Sequence, residues 1–234
     1  MRDRLKETNH WKDLLEVIDE ELTDDIGYLN TISSDDHHGI NSSNAFIWGN
    51  YLLKISVLYS SGADIKNIRT IFPEFISFFE KSWTKENGYV DLIWAVSLGI
   101  MLDISSDVMQ KLQELVKREN YRDYLLDFMF NSIDSEWEII SDDFNAHIPY
   151  KELHGIINAH DSTNVTKLLK EYLDKKWYKG HDEEGWYNSH KHTDYAGYWS
   201  FESGAVAKIL KLNDTGWENQ KYYPYDMVHY SDKK

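Results

Sequence analysis

Apolar residues in this chain recur at steps of three and four, and no stretch alternates apolar with polar as a half-buried strand must. Trp11, Leu14, Leu15, Ile18, Leu22, Ile26 and Leu29 fall on one face of a single long helix. Residues 33–43 are polar and read as a loop whose Ser and Asn residues cap the next helix. From 45 to 59 the sequence is apolar on nearly every side, which predicts a central helix that stops at Ser60, Ser61 and Gly62. Asp64 suits a further N-cap. Pro73 has no N–H to give, so the spacing predicts two short helices, 65–72 and 74–83.

The pattern continues through a second buried helix at 90–102 and a helix capped by Ser105 or Ser106 that carries Val108, Leu112, Leu115 and Val116. Further helices are expected at 124–133, at 151–159 and along Val165, Leu168, Leu169, Tyr172, Leu173 and Trp177. Between 179 and 192 the period is lost among Gly, His and aromatic residues. A last helix opens near Ser200, with Glu202 in its first turn and Lys208 and Lys211 in its last, matching the helix dipole at both ends. The class is all-α, a multi-helix bundle with an irregular aromatic-rich segment before the last helix. The charged residues 117–120 divide it into helical regions 1–120 and 121–234, expected to pack as one body.

Of 234 residues, 41% are hydrophobic and 15% aromatic, too many for a disordered chain. There is no cysteine, which excludes disulfides, thiolate metal sites and a cysteine nucleophile, and fits a reducing compartment. The first residues lack the apolar core of a signal peptide, and the longest apolar run, 90–102, contains Asp91 and is too short to span a bilayer. A cytoplasmic protein is expected. Residues 1–120 hold 20 acidic and 12 basic side chains, and residues 121–234 hold 20 and 13, so the net charge of −15 is spread evenly. Such a field repels nucleic acid and anionic membrane and hastens encounter with a basic partner.

No Gly-rich phosphate loop, G-x-S-x-G elbow or H-E-x-x-H pair occurs, so no catalytic residue and no cofactor is assigned. His190, His192 and Asp194 alternate, and on an extended segment all three would point one way and could ligate a metal. With the paired acids, that leaves a metal-dependent or glycan-active helical enzyme as the alternative reading. Trp11, Trp48, Trp94 and Trp177 fall at helical spacing, which suits core packing better than a sugar platform. Asp35 and Asp36, Asp142 and Asp143, and Asp182, Glu183 and Glu184 are adjacent in sequence, which does not bring two carboxylates to one substrate. They read as solvated faces or as contacts for Lys and Arg on a partner.

The most distinctive words are Tyr195-Ala-Gly-Tyr-Trp-Ser-Phe-Glu-Ser-Gly-Ala-Val-Ala-Lys-Ile-Leu210 and Tyr222-Tyr-Pro-Tyr-Asp226. They describe an aromatic entry, a Ser-capped helix with a small-residue face, and a Pro-fixed aromatic tail folded back over it. This ending, with Gly185-Trp-Tyr-Asn-Ser-His190 upstream, resembles the C-terminal region of PoNi proteins, the immunity partners of PoNe DNase toxins in bacterial polymorphic toxin systems. The N-terminal half, including 44–59, resembles the family's first region. The resemblance implies a non-enzymatic antidote that binds a cognate restriction-endonuclease-like toxin and prevents DNA cleavage. Charge motivates docking on the toxin's basic DNA-binding surface, and capture of an adjacent surface that blocks DNA by bulk is the variant. It marks Tyr195, Gly197, Tyr198, Trp199, Ser200, Phe201, Glu202, Tyr223, Pro224 and Asp226 as signature residues that serve the fold. Gly204 stands where the resemblance leads one to expect alanine. Inside a helix glycine costs up to about 1 kcal/mol unless close packing requires it.

Overall fold

A computed structural model describes residues 1–86, 88–146, 148–159 and 161–232. Among them the chain forms ten α-helices and no strand. Packing gathers these into two units that interleave in sequence. One comprises Met1–Thr84 with Asn188–Gly197, the other Lys85–Tyr187 with Tyr198–Lys234.

In the first unit α1 (Thr8–Leu29) lies along α2 (His37–Ser61), and α2 along α3 (Ile65–Ser82). The stripe read from the sequence is the face α1 buries, through Trp11, Ile18 and Leu22. Two expectations are corrected here. Most of the polar stretch 33–43 is helical, because Asp36 caps α2 by accepting the Gly39 N–H at 2.9 Å, and polar side chains cost little on exposed first turns. Pro73 does not split α3. It forfeits one backbone hydrogen bond, about 3 kcal/mol. Ile68, Phe72, Phe75, Ile76 and Phe79 are all fully buried on one face of the continuous helix, at about 1.5–3 kcal/mol each.

Gly62 closes α2 in the left-handed region at φ 94°, and Arg2 covers the freed carbonyls, donating to Tyr59 at 3.1 Å and Ala63 at 2.9 Å. Asn188–Gly197, over 100 residues away in the chain, is stitched to the same region. Lys6 donates to the His192 carbonyl at 2.8 Å, Ser60 Oγ to the Ala196 carbonyl at 2.6 Å, and the buried Tyr195 hydroxyl to Asp3 at 2.5 Å.

In the second unit α4 (Tyr89–Met101), apolar all round, packs against α6 (Tyr124–Ile133) and α9 (Phe201–Leu210) and borders α5 (Ser106–Arg118). The short α7 (Glu152–Ile157) lies against α8 (Ser162–Tyr172), which runs on into a π-helical turn, Leu173–Trp177, and a 3-10 turn, Lys179–His181. α10 (Tyr225–Val228) folds back onto α9. There Gly204 is explained: a Cβ would lie 2.5 Å from Met101 Sδ and 2.5 Å from Pro224 Cγ. The small-residue face exists because the proline-bearing tail comes that close.

Candidate functional site

Most of the signature residues are interior. Tyr195, Tyr198, Trp199, Ser200, Phe201, Glu202, Tyr223 and Pro224 are buried, while Asp226 is exposed. Gly197, at φ 112°, supplies a left-handed backbone that a side chain would strain. Glu202 is fully buried. Its Oε1 accepts from Trp177 Nε1 at 2.6 Å and from Ser200 Oγ at 2.7 Å. Ser200 therefore serves Glu202 instead of capping a backbone N–H of α9, as the sequence suggested. Burial pushes the Glu202 carboxyl up to about 7, against the opposing pull of Ser200, Trp177 and Trp94.

Around it stand Trp177 and Trp186, stacked at 5.5 Å, and Trp94 edge-on to Phe201 at 5.4 Å. His181 is buried beside them, its Nδ1 2.6 Å from the Trp177 carbonyl and its Nε2 2.9 Å from the Tyr150 hydroxyl. Nδ1 must carry the proton to donate to that carbonyl, so Nε2 accepts, and burial holds the ring neutral by lowering its pKa to about 4. This cluster organises the core of the second unit around Glu202 and His181.

Among the described residues, no three His, Cys, Asp or Glu are placed to hold a metal ion. The alternation of His190, His192 and Asp194 presumed an extended segment. Ser189–Lys191 is instead a 3-10 turn, which takes His190 out of that register.

The acidic clusters occupy three settings. Asp35 and Asp36 are exposed in the first unit, and Asp36 is engaged as the cap of α2. Asp182 and Glu183 are exposed after the 3-10 turn, while Glu184 is half-buried and raises the pKa of Asp91 on α4. Burial, then the Glu184 charge, push Asp91 up to about 6. Asp142 and Asp143 lie exposed on the connection between α6 and α7.

That connection is held from beneath by two carboxylates of α6 that the sequence reading passed over. Asp123 Oδ1 caps α6 through the Leu125 and Leu126 N–H groups, and its Oδ2 accepts from Asn145 N at 2.8 Å. Asp127 Oδ1 accepts from Trp137 Nε1 at 2.9 Å, and its Oδ2 from Ile140 N at 3.0 Å and Ser141 N at 3.2 Å. Both acids are fully buried. Asp127 sits in the apolar run of α6, a setting in which a charge needs partners, and that was the available signal. The result is an irregular loop with a fixed backbone that presents Ile139 and Ile140, 45% and 59% exposed, beside Asp142 and Asp143. An exposed aliphatic pair rimmed by charge is compatible with a protein-binding surface.

Family models match both parts of the chain. One for the N-terminal part of PoNe immunity proteins covers residues 2–114, and one for their C-terminal part covers residues 121–227. The chain belongs to the PoNe immunity protein (PoNi) family. Among solved structures, the crystal structure of protein PA2201 from Pseudomonas aeruginosa is similar in fold, at a TM-score of 0.72 over 97% of this chain and 89% of that one, with 16% identity. No curated protein matches this PoNi chain in sequence. No helix among the described residues is long and apolar enough to cross a membrane.

Proposed function

We propose that this PoNi chain is a non-enzymatic antidote that binds a cognate PoNe-type DNase toxin in the cytoplasm and neutralises it by non-covalent occlusion. The observation that carries the reading is the match of PoNe immunity models to both parts of the chain. A DNase must hold phosphate with Lys and Arg, and carboxylates compete for the same groups. The anchored loop supports a division of labour in which Asp142 and Asp143 steer the encounter and Ile139 and Ile140 hold the complex. Asp182, Glu183 and Glu184 are further candidate contacts, as are Asp35 and Asp36, each cluster considered on its own unit. The chain itself binds neither nucleic acid nor membrane in this reading.

The test is protection of plasmid DNA from a cognate PoNe-type toxin, for which the neighbouring gene is the first place to look. An equimolar amount of the chain is expected to stop cleavage, and cleavage that persists at saturating chain sinks the reading. Asp142→Asn with Asp143→Asn should slow association and flatten its salt dependence, whereas Ile139→Ser with Ile140→Ser should speed dissociation.

A further inference from the structure

The second unit also holds a cleft of opposite character. It has a volume of about 660 Å³ and is lined by residues of α7, of the turns that follow α8, and of the chain leading into α7. Four lysines border it, Lys151, Lys175, Lys176 and Lys179, in a chain of net charge −15. Lys175 pairs with Glu171 at 2.7 Å and Lys176 with Glu152 at 3.5 Å, but these pairs are exposed and contribute little. Among the described residues Lys151 and Lys179 pair with no carboxylate. Ile148, 75% exposed, adds an aliphatic wall. At Gly155 a Cβ would meet nothing within 4 Å, so the helix side stands open.

A cationic cleft with an aliphatic wall fits a short segment that carries both carboxylates and branched apolar side chains. A nucleic acid fits poorly, because its phosphates run on past the cleft over an acidic surface. The protein itself carries a segment of the required chemistry, Ile139, Ile140, Asp142 and Asp143, held ready by Asp127. That loop also leads into the cleft wall at Ile148. Donor and acceptor surfaces thus belong to the same unit of one chain, so that each copy can offer its loop and receive its partner's, as a self-complementary two-fold interface requires.

We propose that the cleft receives the 139–143 loop of a second copy of this chain, so that two chains associate about a two-fold axis with each loop in the other's cleft. The same loop is the toxin contact proposed above, so toxin and second copy exclude each other. That consequence alone rests on the toxin reading.

Sedimentation of the full chain decides the matter. Across the micromolar range the wild type is expected at twice the 27.7 kDa of one chain. Lys151→Glu with Lys179→Glu should sediment as monomer, as should Asp142→Lys with Asp143→Lys. Mixed one to one, the two variants should recover the doubled mass, because each reversed loop then meets a reversed cleft. Gly155→Leu fills the cleft without touching the loop, and should be monomeric while still protecting DNA from the toxin. A wild type that stays monomeric across the range, or a mixture that does not recover the doubled mass, overturns the proposal. So does a monomeric wild type whose cleft takes a DNA oligonucleotide or an unrelated acidic peptide. Self-association without DNA protection would leave this proposal standing and remove the toxin reading alone.

Discussion

Asp127→Ala tests whether the loop's shape is imposed from below. The carboxylate is fully buried and satisfies three donors at 2.9–3.2 Å, while its nearest cation, Arg122, is 3.9 Å away. Hydrogen bonds to a charged group contribute about 1.5–3 kcal/mol each, and a buried donor left without a partner costs about 1–3 kcal/mol. The Trp137 indole is buried and would bear that penalty in full. The Ile140 and Ser141 amides are part-buried and can turn to water, so they count for less. A loss of roughly 3 kcal/mol is expected, a large share of the usual 5–15 kcal/mol. Urea unfolding measures it, and hydrogen exchange at the Ile140 and Ser141 amides reports the loop directly. Asp127→Asn keeps the volume and one acceptor oxygen but turns an N–H₂ towards a donor, and should cost less. A loss below about 0.5 kcal/mol with both amides still protected would refute anchoring by Asp127.

The core supplies two more expected outcomes. Glu202 holds its proton up to about 7 in the folded chain, against an ordinary value of 4.5, so the native state binds more protons in that window and wild-type stability falls as pH rises through it. Glu202→Gln removes this dependence. Its stability relative to wild type should therefore improve between pH 4.5 and 7, by up to roughly 3 kcal/mol, and a flat difference by urea unfolding would discard the argument. His181 has the opposite sign and Asp91 the same one, but both are common to the two proteins and drop out of the difference. Gly204→Ala should gain about 1 kcal/mol of helix propensity and lose about 1–3 kcal/mol to overpacking against Met101 and Pro224, a small net loss. A net gain would mean that the tail moves aside freely.

The helices were legible where burial repeats along one element. The stripe of α1, the uniform apolarity of α4 and the aromatic entry to α9 arise from local spacing alone, and each is buried as expected. Legibility fell where a distant contact outweighed a local preference. Pro73 remains inside α3 because the buried face on both sides of it is worth more than one hydrogen bond, and that face is defined by α2. Nothing local marks Asn188–Gly197 as belonging with residues 1–84. Its partners, Lys6, His10 and Ser60, lie more than 130 positions away.

The surface proposed for binding was hidden for a different reason. Acidic side chains are so evenly spread that counting them points nowhere, and the lysines of the cleft lie in two separate stretches bordered by acids, Glu152 in one and Asp174 and 182–184 in the other, so a composition window averages them away. What separates Asp142 and Asp143 from other exposed acids is the backbone beneath them, held by two carboxylates that are themselves invisible from solvent. The signature that marks the family has the converse property. Glu202, Ser200 and Tyr195 are bound into interior contacts that tolerate few alternatives, which makes them recognisable and leaves them out of reach of a partner. The side chains at 139–143 can change without disturbing the carboxylates that hold the loop, because Asp127 binds backbone N–H groups at Ile140 and Ser141 and not their side chains. Under the proposed function, that freedom is what tracking a changing toxin would require.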